Sequence, residues 1–172
     1  FIYDPSQYEE AVKDNSIIAD FNKRKSMIKE QISKISEELN GEVIMPEELL
    51  DEVTNLVEFP QALKCSYKEE YLTLPEDVLV NVMIKHQRFF PIKGEKGLLP
   101  FFITIANGPN LNIENVVDGN ERVIEARLSD GKFYFLEDQK ISIFDYSKKL
   151  DSVTFHKKLG TLRQKVERIK KL

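Results

Sequence analysis

The chain has 172 residues, enough for one domain with a hydrophobic core and a short appendage. With 41% hydrophobic and 31% charged residues, its composition is that of a folded globular protein and excludes a disordered one. Its longest apolar runs, such as residues 78–80 and 101–103, are far shorter than the roughly 18 residues that cross a bilayer, so we expect no membrane segment.

Charge is distributed unevenly along the chain. The net charge is −4, but residues 157–172 carry seven Lys/Arg against one Glu, or +6, and residues 1–156 therefore carry −10. Neutralised phosphates supply most of the non-specific affinity for nucleic acid, so an acidic body is a weak binder by itself. Any role on RNA must therefore use local basic patches or neighbouring domains.

The cysteine and histidine content is low. The single cysteine, Cys65, excludes an internal disulfide and fits a reducing compartment, which predicts a cytoplasmic protein. With only His86 and His156 beside it, no metal-ligand spacing is present and we expect no metal site. The chain opens with Phe1-Ile2-Tyr3-Asp4, which resembles neither a signal peptide nor a natural start, and this predicts a piece of a longer protein.

The first third of the chain shows helical periodicity with short strands between the helices. The pattern predicts a strand at 1–3, a helix at 5–14, a strand at 16–19, a long helix at 20–39, a helix at 46–57 and a strand at 61–67. Asp20 should cap the long helix, and Gly41 should end it by taking the left-handed conformation.

The middle of the chain predicts a helix and a hairpin. Thr73-Leu74-Pro75-Glu76 has the pattern of a capping box ahead of a helix that places Met83 and His86 on one face. Two strand-like runs, 89–93 and 99–106, flank a glycine-rich turn at 94–97, which is typical of a β-hairpin.

A second long helix is predicted from Ile113 to Phe135. At about 100° per residue, Asn120 and Arg127 lie in its apolar sector, while Arg122 points to the opposite side. A buried guanidinium needs partners, so we expect Asn120 and Arg127 to form a buried polar network, although recognition of a ligand in a cleft is the alternative. Arg122 is the better candidate for contact with an outside partner.

Two basic segments are candidate phosphate contacts. Lys85-His86-Gln87-Arg88 combines cationic and amide donors at a helix C-terminus, but plain C-capping gives the same pattern. The segment 153–172 predicts a basic amphipathic helix that could bind RNA phosphates, form a solvated face, or dock on a further domain. No nucleophile, zincin, P-loop or dinucleotide motif is present, so we assign no catalytic residue.

Four segments together resemble one family. They are LLDEVTNLVEFP at 49–60, LPEDVLVNVMIKHQRFFP at 74–91, FFITIANG at 101–108 and GNERVIEARLSD at 119–130. The combination resembles the beta subunit of the bacterial two-subunit glycyl-tRNA synthetase over about residues 17–169. This chain departs from the family pattern at Gly131, where Ala is usual, and at 115–118, where an Arg is expected before Gly119.

The resemblance implies a fold and a division of the chain. It implies an α/β domain of α+β type, with a mixed or antiparallel sheet packed with amphipathic helices, similar to the editing-type domain of the phenylalanyl-tRNA synthetase beta chain. Residues 1–150 would form this module. Residues 151–172 would form a basic helix that leads into a following helical domain of HD type.

The resemblance also implies a function within an α2β2 enzyme. The alpha subunit would bind glycine, ATP and Mg and carry out adenylation, while the beta subunit binds tRNA(Gly) and is required for aminoacylation. The partners would be the alpha subunit, the tRNA and the remainder of the beta chain, and this chain alone would be inactive. We expect its tRNA contacts among Lys85, His86, Gln87, Arg88 and Arg122.

Two alternatives remain open at the sequence level. One is an editing-like hydrolase that clears mischarged tRNA, in which Lys85, His86 and Arg88 hold the acceptor end. The other is a purely structural interface module.

Overall fold

The computed structural model describes residues 2–109 and 112–172. Its α-helices are Tyr8–Asp14 (α1), Phe21–Glu38 (α2), Glu47–Leu56 (α3), Glu76–Asn81 (α4), Ile113–Asp138 (α5), Ile143–Lys149 (α6) and Leu162–Ile169 (α7). Its strands are Glu42–Val43 (β1), Pro60–Ser66 (β2), Phe90–Gly94 (β3), Gly97–Asn107 (β4), Thr154–His156 (β5) and Gly160–Thr161 (β6). Short 3-10 helices occupy Pro5–Gln7, Glu69–Thr73 and Leu150–Ser152, and a π-helical turn spans Val82–Gln87.

Four strands form one sheet in the order β1-β3-β4-β2, and every pairing described in it is antiparallel. The longest ladder joins β2 and β4, from Pro60 opposite Asn107 to Ser66 opposite Phe101. The predicted hairpin is confirmed as β3 and β4, which are joined at Gly94 and Gly97. Of the two predicted sheet types, the antiparallel one is correct.

One face of the sheet is covered by α2 and α3. Ile28 and Ile32 of α2 and Leu50 of α3 are buried with Phe90 and Ile103 of the sheet in one cluster. The apolar spacing of α2 predicts this contact, because residues three and four apart lie on one side of a helix. Asp20 caps α2 as predicted, since its Oδ1 accepts the N–H of Lys23 at 2.8 Å.

The helix α5 contacts the sheet at the end of β2. The strand register places Cys65 opposite Phe102, one residue out of phase with the face that meets α2. Glu121 of α5 reaches the end of β2, where its Oε1 accepts the N–H and O–H of Ser66 at 2.7 and 2.8 Å. Ile124 of α5 is fully buried. An antiparallel sheet packed with α2 and α3 and contacted by α5 is in keeping with the predicted α+β class, while the likeness to an editing-type domain stays a prediction.

The chain divides into two compact units, 1–132 and 133–172. The second unit contains α6, the hairpin of β5 and β6, and α7. Thr161 and Gln164 form a capping box at the start of α7. The second unit begins before residue 151, and the boundary predicted at 150/151 stays a prediction about domain organisation.

The predicted C-terminal helix is shorter than expected. Residues 154–161 form the β5–β6 hairpin, and α7 begins only at Leu162. Gly160 has φ of 83°, which closes a turn that a continuous helix could not contain. The amphipathic spacing of the sequence continues through residues 154–161, so the sequence pattern did not reveal the turn.

Three local predictions in the N-terminal half were wrong. Residues 16–19 form no strand, because Ser16 has φ of 61° directly after α1, and the N–H of Ile18 donates to a loop carbonyl at Glu58. Ile2 and Tyr3 are not in a strand, and Phe1 lies outside the described residues. The capping box at 73–76 does not form, because Thr73 Oγ1 bonds back to the Glu70 carbonyl and Pro75 occupies the N-cap.

The end of α2 lies where the sequence predicts it, but the residue that takes the left-handed conformation is not the predicted one. Asn40, not Gly41, takes the left-handed conformation, with φ of 48°. Gly41 instead meets the sheet closely, because a Cβ there would lie 2.6 Å from Cγ2 of Ile92. The small residue is required by this approach to β3.

Candidate nucleic-acid interface

The segment 85–88 lies on a π-helical turn that follows α4. The turn ends at Arg88, which holds the left-handed conformation with φ of 58° and ψ of 34°. The N–H of Phe89 then closes the end by donating to the Met83 carbonyl at 2.9 Å. A non-glycine residue in this conformation and a π-helical turn are both unusual, and both are frequent at functional sites.

The four side chains of this segment differ in exposure and pairing. Lys85 and His86 are exposed, and Gln87 is half-buried. Arg88 Nε lies 2.5 Å from Glu52 Oε1 of α3, so this ion pair connects the turn to the helical layer beside it. Among the described residues Lys85 has no carboxylate within salt-bridge distance, which makes it the uncompensated cation of the segment.

His86 departs from its predicted position on the apolar face. In an α-helix it would lie close to the buried Met83, but a π-helical turn advances each residue by less than 100°. The wider turn carries His86 to the exposed side. The residue is therefore available to a partner and is not a core histidine.

Arg122 lies on the exposed side of α5, as predicted. Its side chain is 79% exposed, and it contacts Asp118 one turn earlier through Nη2–Oδ2 and Nε–Oδ1 distances of 2.8 and 3.2 Å. No hydrogen bond or ion pair in the described part of the chain joins Arg122 to residues 85–88. The structure thus presents two separate basic points, and the charge of Arg122 is compensated within its own helix.

The predicted buried network of Asn120 and Arg127 does not form. Arg127 is exposed, and Asn120 Nδ2 donates to the Val116 carbonyl of its own helix at 2.7 Å. The buried stripe of α5 is centred between Ile124 and Leu128, and Arg127 is turned about 80° from that centre. Arg127 is therefore an exposed cation.

Sequence reasoning missed the polar contacts that fix α5 to the sheet. Besides the bonds of Glu121 to Ser66, Glu125 pairs with Lys68, and Lys132 lies 2.7 Å from Glu70. A glutamate on the apolar side of a long helix was the signal for such a contact. Glu121 is the glutamate of the GNER motif, so this residue has a structural role here.

Cys65 is buried, and its thiol is unreactive near neutral pH. Burial raises the pKa of its thiol to about 12, and the negative charge of Glu121 acts in the same direction. A thiol in this state is not a nucleophile near neutral pH. The described residues include no group of three His, Cys, Asp or Glu side chains placed to hold a metal ion.

A groove of about 890 Å³ lies between α1 and the first turns of α2. Its lining mixes charged and apolar side chains, including Glu9, Lys13, Asp20 and Met27. The basic residues at 85–88 do not line it. No helix in the described ranges 2–109 and 112–172 combines the length and apolar character of a membrane span.

Comparison with known proteins decides the family. The model of a family described as glycyl-tRNA synthetase beta subunit matches residues 1–172. The chain belongs to this family. The resemblance carried by the four sequence segments is therefore confirmed, and these segments of the family lie on α3, on α4 with its π-helical turn, on β4 and on α5.

Several curated relatives carry the name glycine–tRNA ligase beta subunit. The protein of Bacillus subtilis (strain 168) is 49% identical over 169 residues, which cover 98% of this chain and 25% of the relative. That of Halalkalibacterium halodurans is 45% identical over 172 residues, covering 99% and 25%. That of Streptococcus agalactiae serotype III is 47% identical over 170 residues, covering 98% and 25%. The chain thus spans about a quarter of the length of these family members.

Proposed function

We propose that this chain is a module of a glycine–tRNA ligase beta subunit and supports glycyl-tRNA formation through tRNA recognition and subunit architecture. The observation that carries the proposal is the family match over residues 1–172. The relatives are named beta subunits of a ligase that joins glycine to tRNA. A beta subunit implies a partner subunit, and a ligase of this kind implies a tRNA.

The proposed division of labour leaves the chemistry on another chain. The alpha subunit would bind glycine, ATP and Mg and form the activated amino acid, and this module would have no catalytic residue. Its partners would be that alpha subunit, tRNA(Gly) and the remainder of the beta polypeptide, in the cytoplasm. This chain would then contribute by binding these partners and by holding them in position.

Lys85 is the residue that we propose to contact tRNA most directly. It is exposed and uncompensated, and it stands next to His86 and Gln87, which add an imidazole and an amide. An ammonium can approach a phosphate from any direction, while the neighbouring polar groups can bond to sugar or phosphate oxygens. The left-handed closure at Arg88 presents these side chains at the end of the turn.

The two arginines have weaker claims than Lys85. A phosphate must compete with Glu52 for Arg88 and with Asp118 for Arg122. Arg88 therefore helps chiefly by holding the turn against α3, and Arg122 contributes least. We expect the losses on substitution to follow the order Lys85, Arg88, Arg122.

The test is tRNA(Gly) affinity of the complete enzyme with Lys85→Ala, Arg88→Ala and Arg122→Ala made singly across a salt series. Loss of one phosphate contact should raise Kd by about fivefold to tenfold and reduce the slope of log K against log salt by about 1. Lys34→Ala is the matched control, because Lys34 is an exposed lysine of α2 with no ion-pair partner among the described residues.

The result that contradicts tRNA contact is unchanged affinity and slope for Lys85→Ala, with the control behaving in the same way. Melting temperatures should accompany each variant, so that an unfolded protein is not mistaken for a lost contact. A variant that lowers affinity but leaves the salt slope unchanged would also count against a phosphate contact.

A purely architectural role is the second candidate, and one observation favours it. Ile143 and Phe144 of α6 are each 78% exposed. Large apolar side chains exposed side by side are typical of contact with another protein surface. We propose that they meet the remainder of the beta polypeptide. No contact of the described residues favours the editing-type hydrolase.

A further inference from the structure

The second unit is positively charged although the chain as a whole is acidic. Residues 133–172 contain ten Lys/Arg and five Asp/Glu, a net charge of +5, while residues 1–132 carry −9. Three of the five carboxylates are used in ion pairs within this unit, by Glu137, Asp145 and Glu167. Most of its cations therefore have no carboxylate partner among the described residues.

The uncompensated cations meet an aromatic ring at the β5–β6 hairpin. Lys157 and Lys158 occupy the turn and are exposed. Lys165 of α7 places its Nζ 4.0 Å from the centre of the Phe155 ring, at cation–π distance. Phe155 is itself 41% exposed. We call these four residues the hairpin surface.

The hairpin surface is held by local bonds, so its cations are partly positioned before any partner arrives. The Thr161 N–H donates to Gln164 Oε1 at 3.0 Å, and the Gln164 N–H donates to Thr161 Oγ1 at 3.3 Å. The Leu162 N–H donates to the Val153 carbonyl at 2.8 Å, which closes the hairpin onto α7. The Lys158 N–H donates to His156 Nδ1 at 3.2 Å.

We propose that the hairpin surface binds the sugar–phosphate backbone of an RNA beside an unpaired base. Three ammonium groups can pair with backbone phosphates, and an exposed ring beside them offers a stacking platform for one base. The hairpin surface shares no residue with the segment 85–88, and the choice of RNA as the polyanion rests on the proposed function.

An anionic membrane is the competing polyanion, and the geometry favours it less. A helix that lies on a membrane buries a continuous apolar face. α7 has only eight residues, and its Leu162 and Val166 are already half-buried. The cations of the hairpin surface stand at a turn and beside a ring, where a flexible single strand can reach them.

The test is binding of a tRNA(Gly) transcript, across a salt series, to the alpha subunit assembled with the complete beta polypeptide, with Lys157→Ala/Lys158→Ala as the variant. We expect Kd to rise at least tenfold near 0.1 M salt, with the slope of log K against log salt reduced by about 2. The matched control is Lys34→Ala/Lys96→Ala, which removes two exposed lysines of the first unit and changes the net charge equally. It should change Kd less than twofold.

A second pair of variants tests the base platform. Phe155→Leu should raise Kd by about tenfold without changing the salt slope, because stacking is lost and no charge is removed. Phe133→Leu is its control, since Phe133 is an exposed phenylalanine of the same unit that lies outside the hairpin surface. It should leave Kd unchanged.

Three results would overturn the proposal. One is an unchanged Kd and salt slope in Lys157→Ala/Lys158→Ala; another is an equal loss in the two double-lysine variants, which would reflect net charge alone. The third is binding to phosphatidylglycerol vesicles that is as tight as to RNA and is lost in Lys157→Ala/Lys158→Ala. Lys85→Ala, run in the same assay, separates the two sites, because each can lose affinity while the other is intact.

Discussion

At the scale of single residues, Arg88 shows how a side chain is kept in an unfavourable backbone conformation. Its left-handed φ of 58° costs about 1 kcal/mol relative to glycine, and its ion pair with Glu52 helps to hold it. Glycine is the usual residue at such a helix end. An arginine in place of glycine at this helix end points to a role for the side chain.

We expect Arg88→Gly to be more stable than Arg88→Ala by about 1 kcal/mol. Both variants lose the ion pair with Glu52, so that loss cancels in the comparison, and only alanine keeps the left-handed strain. Urea unfolding of the two proteins measures the difference. Equal stability, or a more stable alanine variant, would show that the strain is absent.

Cys65 gives a prediction about alkaline pH. Its pKa is raised by burial to about 12 from an ordinary value near 9, so the folded protein holds this proton more tightly than the unfolded chain. The stabilisation is complete below about pH 9 and is lost progressively as the pH rises from there toward 12. Removal of the thiol removes this part of the pH dependence.

Comparison of wild type with Cys65→Ala at pH 8 and pH 10 tests this. The free energy of unfolding should fall less between the two pH values in the variant. Burial also raises the pKa of Tyr67, which is present in both proteins, so part of the alkaline loss remains. An identical fall in both proteins would contradict the assignment to Cys65.

Residue positions were predicted well only where the helix was regular. Arg122 lies on the exposed side of α5 as its angle predicts, whereas His86 is carried outward by a π-helical turn that no spacing reveals. Arg127 was misplaced because apolar residues near both ends of α5 widened the apparent sector. Only the middle of that helix is fully buried, at Ile124 and Leu128.

At the scale of secondary-structure elements, we expect Gly131→Ala and Gly160→Ala to have opposite effects on stability. Gly131→Ala should stabilise the protein by about 1 kcal/mol, because alanine is the better helix former and a Cβ there would lie 3.9 Å from Val78, at ordinary contact distance. Chemical denaturation measures this change. A loss of stability would mean that α5 lies closer to α4 than the structure shows.

Gly160→Ala should destabilise the second unit. Gly160 has φ of 83°, and a Cβ would lie 1.6 Å from Gln164 Oε1, so the new methyl group would displace a partner of the capping box. Backbone strain and loss of the cap should together cost about 2 kcal/mol. Amide hydrogen exchange in α7 should become faster by the factor that corresponds to this loss of free energy, while the exchange rates in β2 and β4 should not change. Unchanged protection of α7 would contradict this.

Helices and strands were predicted correctly where the hydrophobic periodicity agreed with the capping and turn residues at their ends. The helix after Asp20, the helix after Pro46 and the hairpin around Gly94–Gly97 all combine a clear repeat with a cap or a turn residue. The expected helix over 153–172 failed because hairpin residues continued its amphipathic spacing. The expected strand at 16–19 failed because its three apolar residues have no partner strand and therefore form only a loop segment.

At the scale of the whole molecule, charge separates the chain into an acidic first unit and a basic second unit. Residues 1–132 carry −9 and residues 133–172 carry +5. Polyanion binding in this picture is local, at Lys85 and at the hairpin surface. The total charge of −4 gives no hint of it.

The central claim is that this module serves tRNA binding and not glycine activation. The most direct measurement is steady-state kinetics of the alpha subunit with the complete beta polypeptide, comparing wild type, Lys85→Ala and the control Lys34→Ala. We predict that Lys85→Ala raises KM for tRNA(Gly) by about fivefold to tenfold and leaves glycine-dependent ATP–pyrophosphate exchange unchanged. An unchanged KM for tRNA, or a loss of exchange equal to the loss of aminoacylation, would contradict the claim.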